Sequence, residues 1–482
     1  MKSIIANFGS KTGEKTSRDV LYGCWCKGKK AGNAEYPPLP LLYVYTLLKE
    51  NSFDVSFIDA QGLGLSHTQF IDNVDANEFD VLITQTSTMT FRDDVSLLEA
   101  IKRENHSIKT VLIGSHVTFL PEKSLSEDSV DYVILYEPEK PVLELLSGLR
   151  ENRMPDRLDS VGFKDGGGYI VGDRKSLIDL DETPIPDRTP ILEIDYYNPL
   201  VEERRWTSVE TTRGCPGKCT FCTAPSFFGE KVRARRVDDV IKELEILSSL
   251  GYREIFFRDE TFTYDLDRVK EICQKMIERS LDLKWICNSR VNTINPQAIE
   301  SMKSAGCRKI KYGVETGSPE ILKNIRKGTT IQQAEKAFKW MCDAGLESHG
   351  HFMLGCPGET MQSIRKTIDF AKKLNPTTAS FGIFTPYPGT KIYKDFVKKL
   401  PDDWDGTEAE LSKLHVKSFY NEKFTELTSS ELEKAMVDAY REFYLRPGYV
   451  LNKLSTINTP TDLFNTIKSG IGVLSYSLTG RN

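Results

Sequence analysis

The sequence predicts an α/β protein: a doubly wound parallel-sheet domain, then a partial (β/α)6 barrel, then a helical C-terminal extension. Three observations predict it. Short apolar runs rich in β-branched residues recur through the first 400 residues. Amphipathic segments of helical period separate them, and such regular alternation folds as a parallel sheet covered by helices. Beyond about residue 400 the strand runs stop and helical period remains, as in SSELEKAMVDAYREFYL. A chain of 482 residues also exceeds what one core organises, so several domains are expected.

The elements follow in order. Residues 1–149 form the first domain. SIIANFG reads as a strand, and LPLLYVYTLLKEN, after the Pro-rich stretch 37–40, as a helix. VSFIDA and DVLITQTS are strands, VSLLEAIKREN a helix, KTVLIGS and DYVILYEP strands, and PVLELLSGLREN a helix. Residues 150–205 are rich in Pro, Asp and Gly (DGGGY, DETPIPDRTPI) and read as a linker with short strands. Residues 206–400 hold a second series of strands: WTSVETTRG, EIFFRDE, LKWICNSRV, KIKYGVET, HGHFMLG and ASFGIFTP, with helices between them. Six units fall short of the eight that close a full barrel. Residues 401–482 form the helical extension. In both sheets, ligands are expected at the carboxyl ends of the strands.

Composition narrows the function. Sixty-four basic residues stand against 69 acidic ones, a net charge of −5, so there is no basic field for nucleic acid. No run of about 18 apolar residues is present to span a membrane. The N-terminus lacks a signal-peptide core, so a cytoplasmic location is expected. In that reducing setting the ten cysteines point to metal binding or catalysis rather than disulfides.

Three cysteines stand out. Cys215, Cys219 and Cys222 lie in ETTRGCPGKCTFCTAP as C-x3-C-x2-C, directly after the first barrel strand. Thiolates suit iron–sulfur chemistry. Three ligands on a four-iron cube leave one iron open, as catalytic metal sites require. Zinc needs a fourth ligand. The next cysteine is Cys273, inside an expected helix, and no histidine lies between 117 and 348. Cys273, Cys287, Cys307 and Cys342 read as buried, inert thiols.

This spacing, with the aromatic Phe221 before the third cysteine, resembles the signature of the radical S-adenosylmethionine (SAM) superfamily. The resemblance implies a TIM-type partial barrel and a 4Fe–4S cluster whose open iron chelates the methionine end of SAM. It also implies reductive cleavage of SAM to a 5′-deoxyadenosyl radical. Further strand ends resemble the family in order. FFRDETFT offers Asp259 and Glu260 to the SAM ammonium, which wants an acceptor. NSRVNTIN offers Arg290 to the SAM carboxylate or to substrate. YGVETGSPEIL offers Glu315 to the ribose, and GHFMLGCPGET offers Gly355 and Gly358, which let backbone approach the adenine.

The first domain resembles the Rossmann-like, cobalamin-binding domain that precedes many radical SAM barrels. The matching residues are 37–60, 111–122 and 131–146. Ser87, Gly114, Ser115 and Glu137 are the implied cobalamin contacts. There are departures. The D-x-H-x-x-G loop of methionine-synthase-type domains is absent, since residues 8–36 contain no histidine and Asp59–Gly64 (DAQGLG) follows the wrong strand. The family's Gly-Gly is Gly114–Ser115 here. Its Gly-Glu-x-Glu is Tyr136-Glu137-Pro138-Glu139, where Tyr136 crowds the nucleotide tail. His116 reads as a loop histidine with a local hydrogen bond. Cys24 and Cys26, in YGCWCKGKK, read as part of a covering loop.

The resemblance implies an enzyme, and cobalamin-dependent methylation of an unactivated carbon is the leading reaction. A radical cyclase or rearrangement enzyme acting on a lipid or tetrapyrrole is the alternative, a similarity that REFYLRPGYV (441–450) shares. A non-radical iron–sulfur protein is the second alternative. The expected partners are a small-molecule or lipid-like substrate and an electron donor of the flavodoxin or ferredoxin kind. The apolar tail DLFNTIKSGIGVLSYSL is expected to pack on the barrel rather than on a membrane.

Overall fold

The computed structural model describes residues 1–14, 34–153, 159–173, 177–397 and 421–455. Cys24, Cys26 and the apolar tail lie outside the described residues.

The first sheet has seven strands: β1 (Lys2–Asn7), β2 (Asp54–Asp59), β3 (Val81–Gln85), β4 (Lys109–Ile113), β5 (Tyr132–Ile134), β6 (Val161–Asp165) and β7 (Gly168–Val171). Their order is β2-β1-β3-β4-β5-β6-β7. The first five are parallel, and β6 and β7 add an antiparallel hairpin. The segment expected as a linker therefore extends the first sheet. Both faces of this sheet are covered. Ile4, Leu82, Leu112 and Val133 pack on one side, and Ile5, Ile83, Val111 and Ile134 on the other. Burial on two faces explains why these strands read as continuous apolar runs. Strand order reverses at β1, so the β1/β3 boundary is the switch point where such sheets bind ligands.

The second series begins with β8 (Trp206–Val209) and the short β9 (Thr212–Arg213) and β10 (Arg233–Ala234), which pair with each other. It continues with β11 (Glu254–Phe257), β12 (Lys284–Ser289), β13 (Cys307–Glu315), β14 (Glu347–Leu354) and β15 (Thr378–Ile383). Six strands form an all-parallel sheet in the order β15-β14-β13-β12-β11-β8. Alternation divides each strand between two environments. Ile310, Tyr312, Phe352, Phe381 and Ile383 pack outward with helix residues such as Phe338, Ile364 and Met436. Trp206, Phe256 and Ile286 face inward and are met by Leu42, Ile191 and Tyr196. Residues from the first domain and the linker thus plug the apolar half of the barrel.

The helix Ser429–Tyr444 closes the other end of the second sheet. A capping box at Thr428 and Glu431 starts it. Tyr440 and Tyr444 hydrogen-bond to the backbone of Phe381 and Ala379 on β15. These bonds protect an edge strand that would otherwise offer unpaired backbone groups. Among the described residues, no helix is long and apolar enough to cross a membrane.

Candidate active site

The carboxyl ends of the two sheets face each other. Phe119, after β4, packs near Phe227, which follows the three-cysteine loop, with centroids 6.3 Å apart. Gly389, after β15, lies so close to Phe119 that a Cβ there would meet its ring. Tyr136, after β5, holds a left-handed φ of 64° and sits 6.2 Å from the same Phe227.

An ion-pair network joins these ends. Arg213, two residues before Cys215, donates to Glu139 over 2.6 Å, to Glu210 over 3.1 Å and to Glu137 over 3.4 Å. Arg233 adds two bonds to Glu137, at 2.6 and 3.1 Å. The backbone N–H of Ile178 donates to Glu137 as well. The side chains of Arg213, Glu137 and Glu139 are at most 5% exposed. Glu137, expected as a cobalamin contact, is engaged by two guanidiniums.

Cys215 is buried, and Cys219 and Cys222 are partly so. A Cβ at Gly217 would lie 3.2 Å from Cys215 Sγ, 3.8 Å from Cys219 Sγ and 3.3 Å from a guanidinium nitrogen of Arg290. Glycine thus leaves open a hollow lined by two thiols and a cation. Burial pushes the Cys215 thiol up and the Cys222 thiol to about 12. Buried thiols this costly to ionise are stabilised as thiolates by cationic iron. The donor set fits an iron–sulfur cube. Among the described residues, no three potential ligands converge as a single ion would require. Cube ligands need no such convergence, since each grips a separate corner.

The remaining predicted positions divide. Arg290 donates toward Cys219 Sγ at 3.8 Å and to the carbonyl of Lys327. The half-buried Glu260 accepts from the backbone N–H of Gly214 at 3.2 Å. Burial first, then Glu210 and Asp259, raise its carboxyl well above the usual range. Glu315 has a left-handed φ of 71° beside a register shift in β13, a strained conformation typical of sites. It pairs with Lys327 at 2.5 Å. Phe221 packs toward Phe384, and the Lys327 ammonium stands 5.9 Å from its ring.

Other positions are diverted to structural bonds. Asp259 is fully buried and accepts from the Thr211 N–H (2.7 Å), the Thr211 hydroxyl (2.6 Å) and the Thr212 hydroxyl (2.9 Å). It ties β11 to the strand that leads into the cysteine loop. Gly355 and Gly358 both have positive φ. Their turn is held by Glu359, which accepts from the N–H groups of Gly355 and Cys356, and by Asn421, which donates to the Gly355 carbonyl. A Cβ at Gly355 would strike Asn421 at 2.7 Å, so the tightness serves packing against the C-terminal extension.

In the first domain, Ser87 and Thr88 follow β3, and Gly114 and Ser115 follow β4. Ser87 shares a hydrogen bond with Thr90. Gly114 holds φ 119° and ψ −174°, a backbone region essentially confined to glycine. His116 is buried in the short helix Ser115–Phe119, 3.2 Å from the Thr88 hydroxyl, with its ring tilted against that of Phe91, centroids 4.2 Å apart. Hydroxyls and a glycine thus gather at the carboxyl ends of β3 and β4, next to the switch point, and groups of this kind fit a large polar cofactor that approaches backbone closely.

Residues 209–371 match the model of the radical SAM superfamily. The chain belongs to the radical SAM superfamily. Residues 31–146 match the B12-binding domain. The cofactors of this domain pair are a 4Fe–4S cluster, SAM and cobalamin. The chain is 33% identical over 424 residues to an uncharacterized methyltransferase of Pyrococcus horikoshii, covering 87% of this chain and 90% of that protein. It is 28% identical to the anaerobic magnesium-protoporphyrin IX monomethyl ester cyclase of Rubrivivax gelatinosus, over 77% and 68% of the two chains. The cobalamin-dependent radical SAM enzyme OxsB has the same fold. The TM-score is 0.70 at 17% identity, covering 100% of this chain and 73% of that one. Family membership is thus legible in the cysteine loop. Lys327 and the Arg213 network are not legible in the sequence, because only the fold brings Lys327 to Glu315 and Arg213 to Glu137 and Glu139.

Proposed function

We propose that this radical SAM protein is a cobalamin-dependent methyltransferase that methylates an unactivated carbon of a small molecule. The observation that carries the reading is the junction at Arg213, where one guanidinium holds the carboxylates after β5 against the loop that bears Cys215. A cofactor held at the strand ends of the first sheet then faces the cysteine loop directly.

When bound, the cluster with SAM supplies a 5′-deoxyadenosyl radical, and cobalamin supplies a transferable methyl group. The chain's own groups do the rest. Cys215, Cys219 and Cys222 hold the cluster. Arg290 places positive charge beside the thiolates and is placed to receive the SAM carboxylate. Glu260 is the acceptor for the SAM ammonium in preference to Asp259, whose oxygens are bound by threonines. Glu315, oriented by Lys327, accepts from the ribose. Ser87, Gly114 and Ser115, at the ends of β3 and β4, meet the cobalamin. Phe119, Tyr136 and Phe227 form an apolar wall between the domains, which excludes water from a radical path.

A second reading, radical ring formation, is supported by the likeness to the ester cyclase. Product analysis separates the two. Reconstituted enzyme given SAM, a strong reductant and a crude pool of small molecules should form both 5′-deoxyadenosine and S-adenosylhomocysteine, the second because one SAM donates its methyl. Deoxyadenosine formed without any S-adenosylhomocysteine would favour the cyclase reading instead.

A further inference from the structure

The inner face of the barrel is apolar on only one half. On β8, β11 and β12 it carries Trp206, Phe256 and Ile286, plugged by residues from outside the barrel. On β13, β14 and β15 the inward positions are Lys309, Lys311, His349, His351, Thr378 and Ser380. Their sequence neighbours Ile310, Tyr312, Phe352, Ala379 and Phe381 pack outward. Pairing register places Lys311 opposite His349, and His351 opposite Ser380.

The two histidines form a connected pair. His349 Nδ1 lies 2.7 Å from the Thr378 hydroxyl, and its Nε2 lies 3.2 Å from that of Ser380. His351 Nδ1 lies 2.7 Å from the same Ser380 hydroxyl, and the rings are 4.4 Å apart. The Lys311 ammonium lies 4.5 Å from the centre of the Phe256 ring, two strands away on β11. Lys309 is held by Glu347 at 3.0 Å, and Lys327 by Glu315 at 2.5 Å. Burial first holds both imidazoles neutral, reinforced by His351, Lys311 and Lys309 for His349, and by Lys311 and Lys327 for His351.

Burying ammoniums and imidazoles in a barrel wall is costly, and packing alone favours the apolar solution used on the opposite half. Such a wall is what an anion requires: a cation with an imidazole donor beside it, its tautomer fixed by a hydrogen-bonded chain behind it. We propose that this wall binds an acidic group of the substrate, a carboxylate or a phosphate, through Lys311 and His351, with His349 and Ser380 orienting the His351 ring. The proposal rests on the methyltransferase reading above and names its substrate class. From Lys311 to Glu315 is four residues of strand, about 13 Å at strand rise. The acidic group therefore anchors deep in the barrel, and the reacting carbon lies about that far away, near Glu315 and the cluster.

The test is equilibrium dialysis of the cluster- and cobalamin-loaded enzyme with radiolabelled inorganic phosphate and, separately, radiolabelled succinate. Wild-type protein should bind at least one of the two saturably. Lys311→Met should weaken that binding at least tenfold, and Lys311→Arg, which keeps the cation, should retain most of it. Binding of phosphate alone assigns a phosphate ester, and of succinate alone a carboxylic acid. No saturable binding by the wild type overturns the proposal, as does full binding by a folded Lys311→Met. Formation of S-adenosylhomocysteine together with deoxyadenosine by the same wild-type sample reports the parent reading separately. Anion binding without S-adenosylhomocysteine would leave the site standing and remove the methyltransferase.

Discussion

The guanidinium of Arg213 donates to Glu139 over 2.6 Å, and both side chains are almost fully buried. This pair links the end of the first sheet to the cluster loop. Burial removes the water that would otherwise solvate Glu137, Glu139 and Glu210, so their stability depends on the arginine. Arg213→Met should cost about 3–5 kcal/mol of unfolding free energy, the usual penalty for stranding a buried partner. Arg213→Lys, which keeps the charge and loses the fork, should cost less. Chemical denaturation of the two variants measures this. Equal, small losses would show that the junction is not held by this residue.

Glu260 is the carboxylate left for the SAM ammonium. Removing one charged hydrogen bond costs about 1.5–3 kcal/mol, or roughly ten- to hundredfold in Kd. Glu260→Ala should weaken SAM binding by that factor while cluster absorbance is unchanged. Asp259→Ala should instead destabilise the fold, because Thr211 and Thr212 lose their acceptor. Unchanged SAM affinity in Glu260→Ala would take the residue out of the site.

Arg290 brings its charge to Cys219 and Cys215. A cation beside cluster sulfur favours the reduced, more negative state, and cluster potentials respond to charge and to hydrogen bonds. Arg290→Gln should therefore shift the cluster midpoint to more negative values. A redox titration followed by electron paramagnetic resonance reads this, and an unmoved or more positive midpoint would contradict the placement.

Glu359 carries a pH dependence. Burial raises its carboxyl to about 7, against an ordinary value of 4.5. The folded protein holds this proton where the unfolded chain has lost it. Stability should accordingly fall as pH rises from about 4.5 to about 7, and level off above that. The full swing is about 3 kcal/mol. Glu359→Gln removes the titration, so the variant should gain on the wild type between pH 5 and pH 8. Parallel stability curves for the two proteins would refute this.

The sequence made the strand ends visible, because each functional loop follows an apolar run. Spacing marks Cys215, Cys219 and Cys222 as candidates, and order along the barrel marks Arg290, Glu260 and Glu315. What those side chains bond to was not legible. Asp259 and Glu260 are adjacent in sequence, yet Thr211 and Thr212, which lead into the cysteine loop, take one of them. Glu137 reads like a cofactor contact until Arg213 and Arg233 are placed beside it. Gly355 is tight because Asn421 and Leu432, more than sixty residues later, pack on it. Cys342 was expected to be buried and is exposed. The buried stripe of its helix is Ala334, Ala337, Phe338 and Met341, and Cys342 falls just off it. The basic wall of the barrel is not legible in the sequence either, since Lys309 and Lys311 meet His349 and His351 only through strand pairing.

Anaerobic reconstitution tests the central claim most directly. Protein loaded with iron, sulfide and hydroxocobalamin is desalted and its visible spectrum recorded. The account predicts a retained corrin band together with the broad iron–sulfur absorbance, with the iron–sulfur part absent in Cys219→Ala. Iron–sulfur absorbance without any corrin would contradict it, and would leave the first domain as a platform for a direct radical reaction.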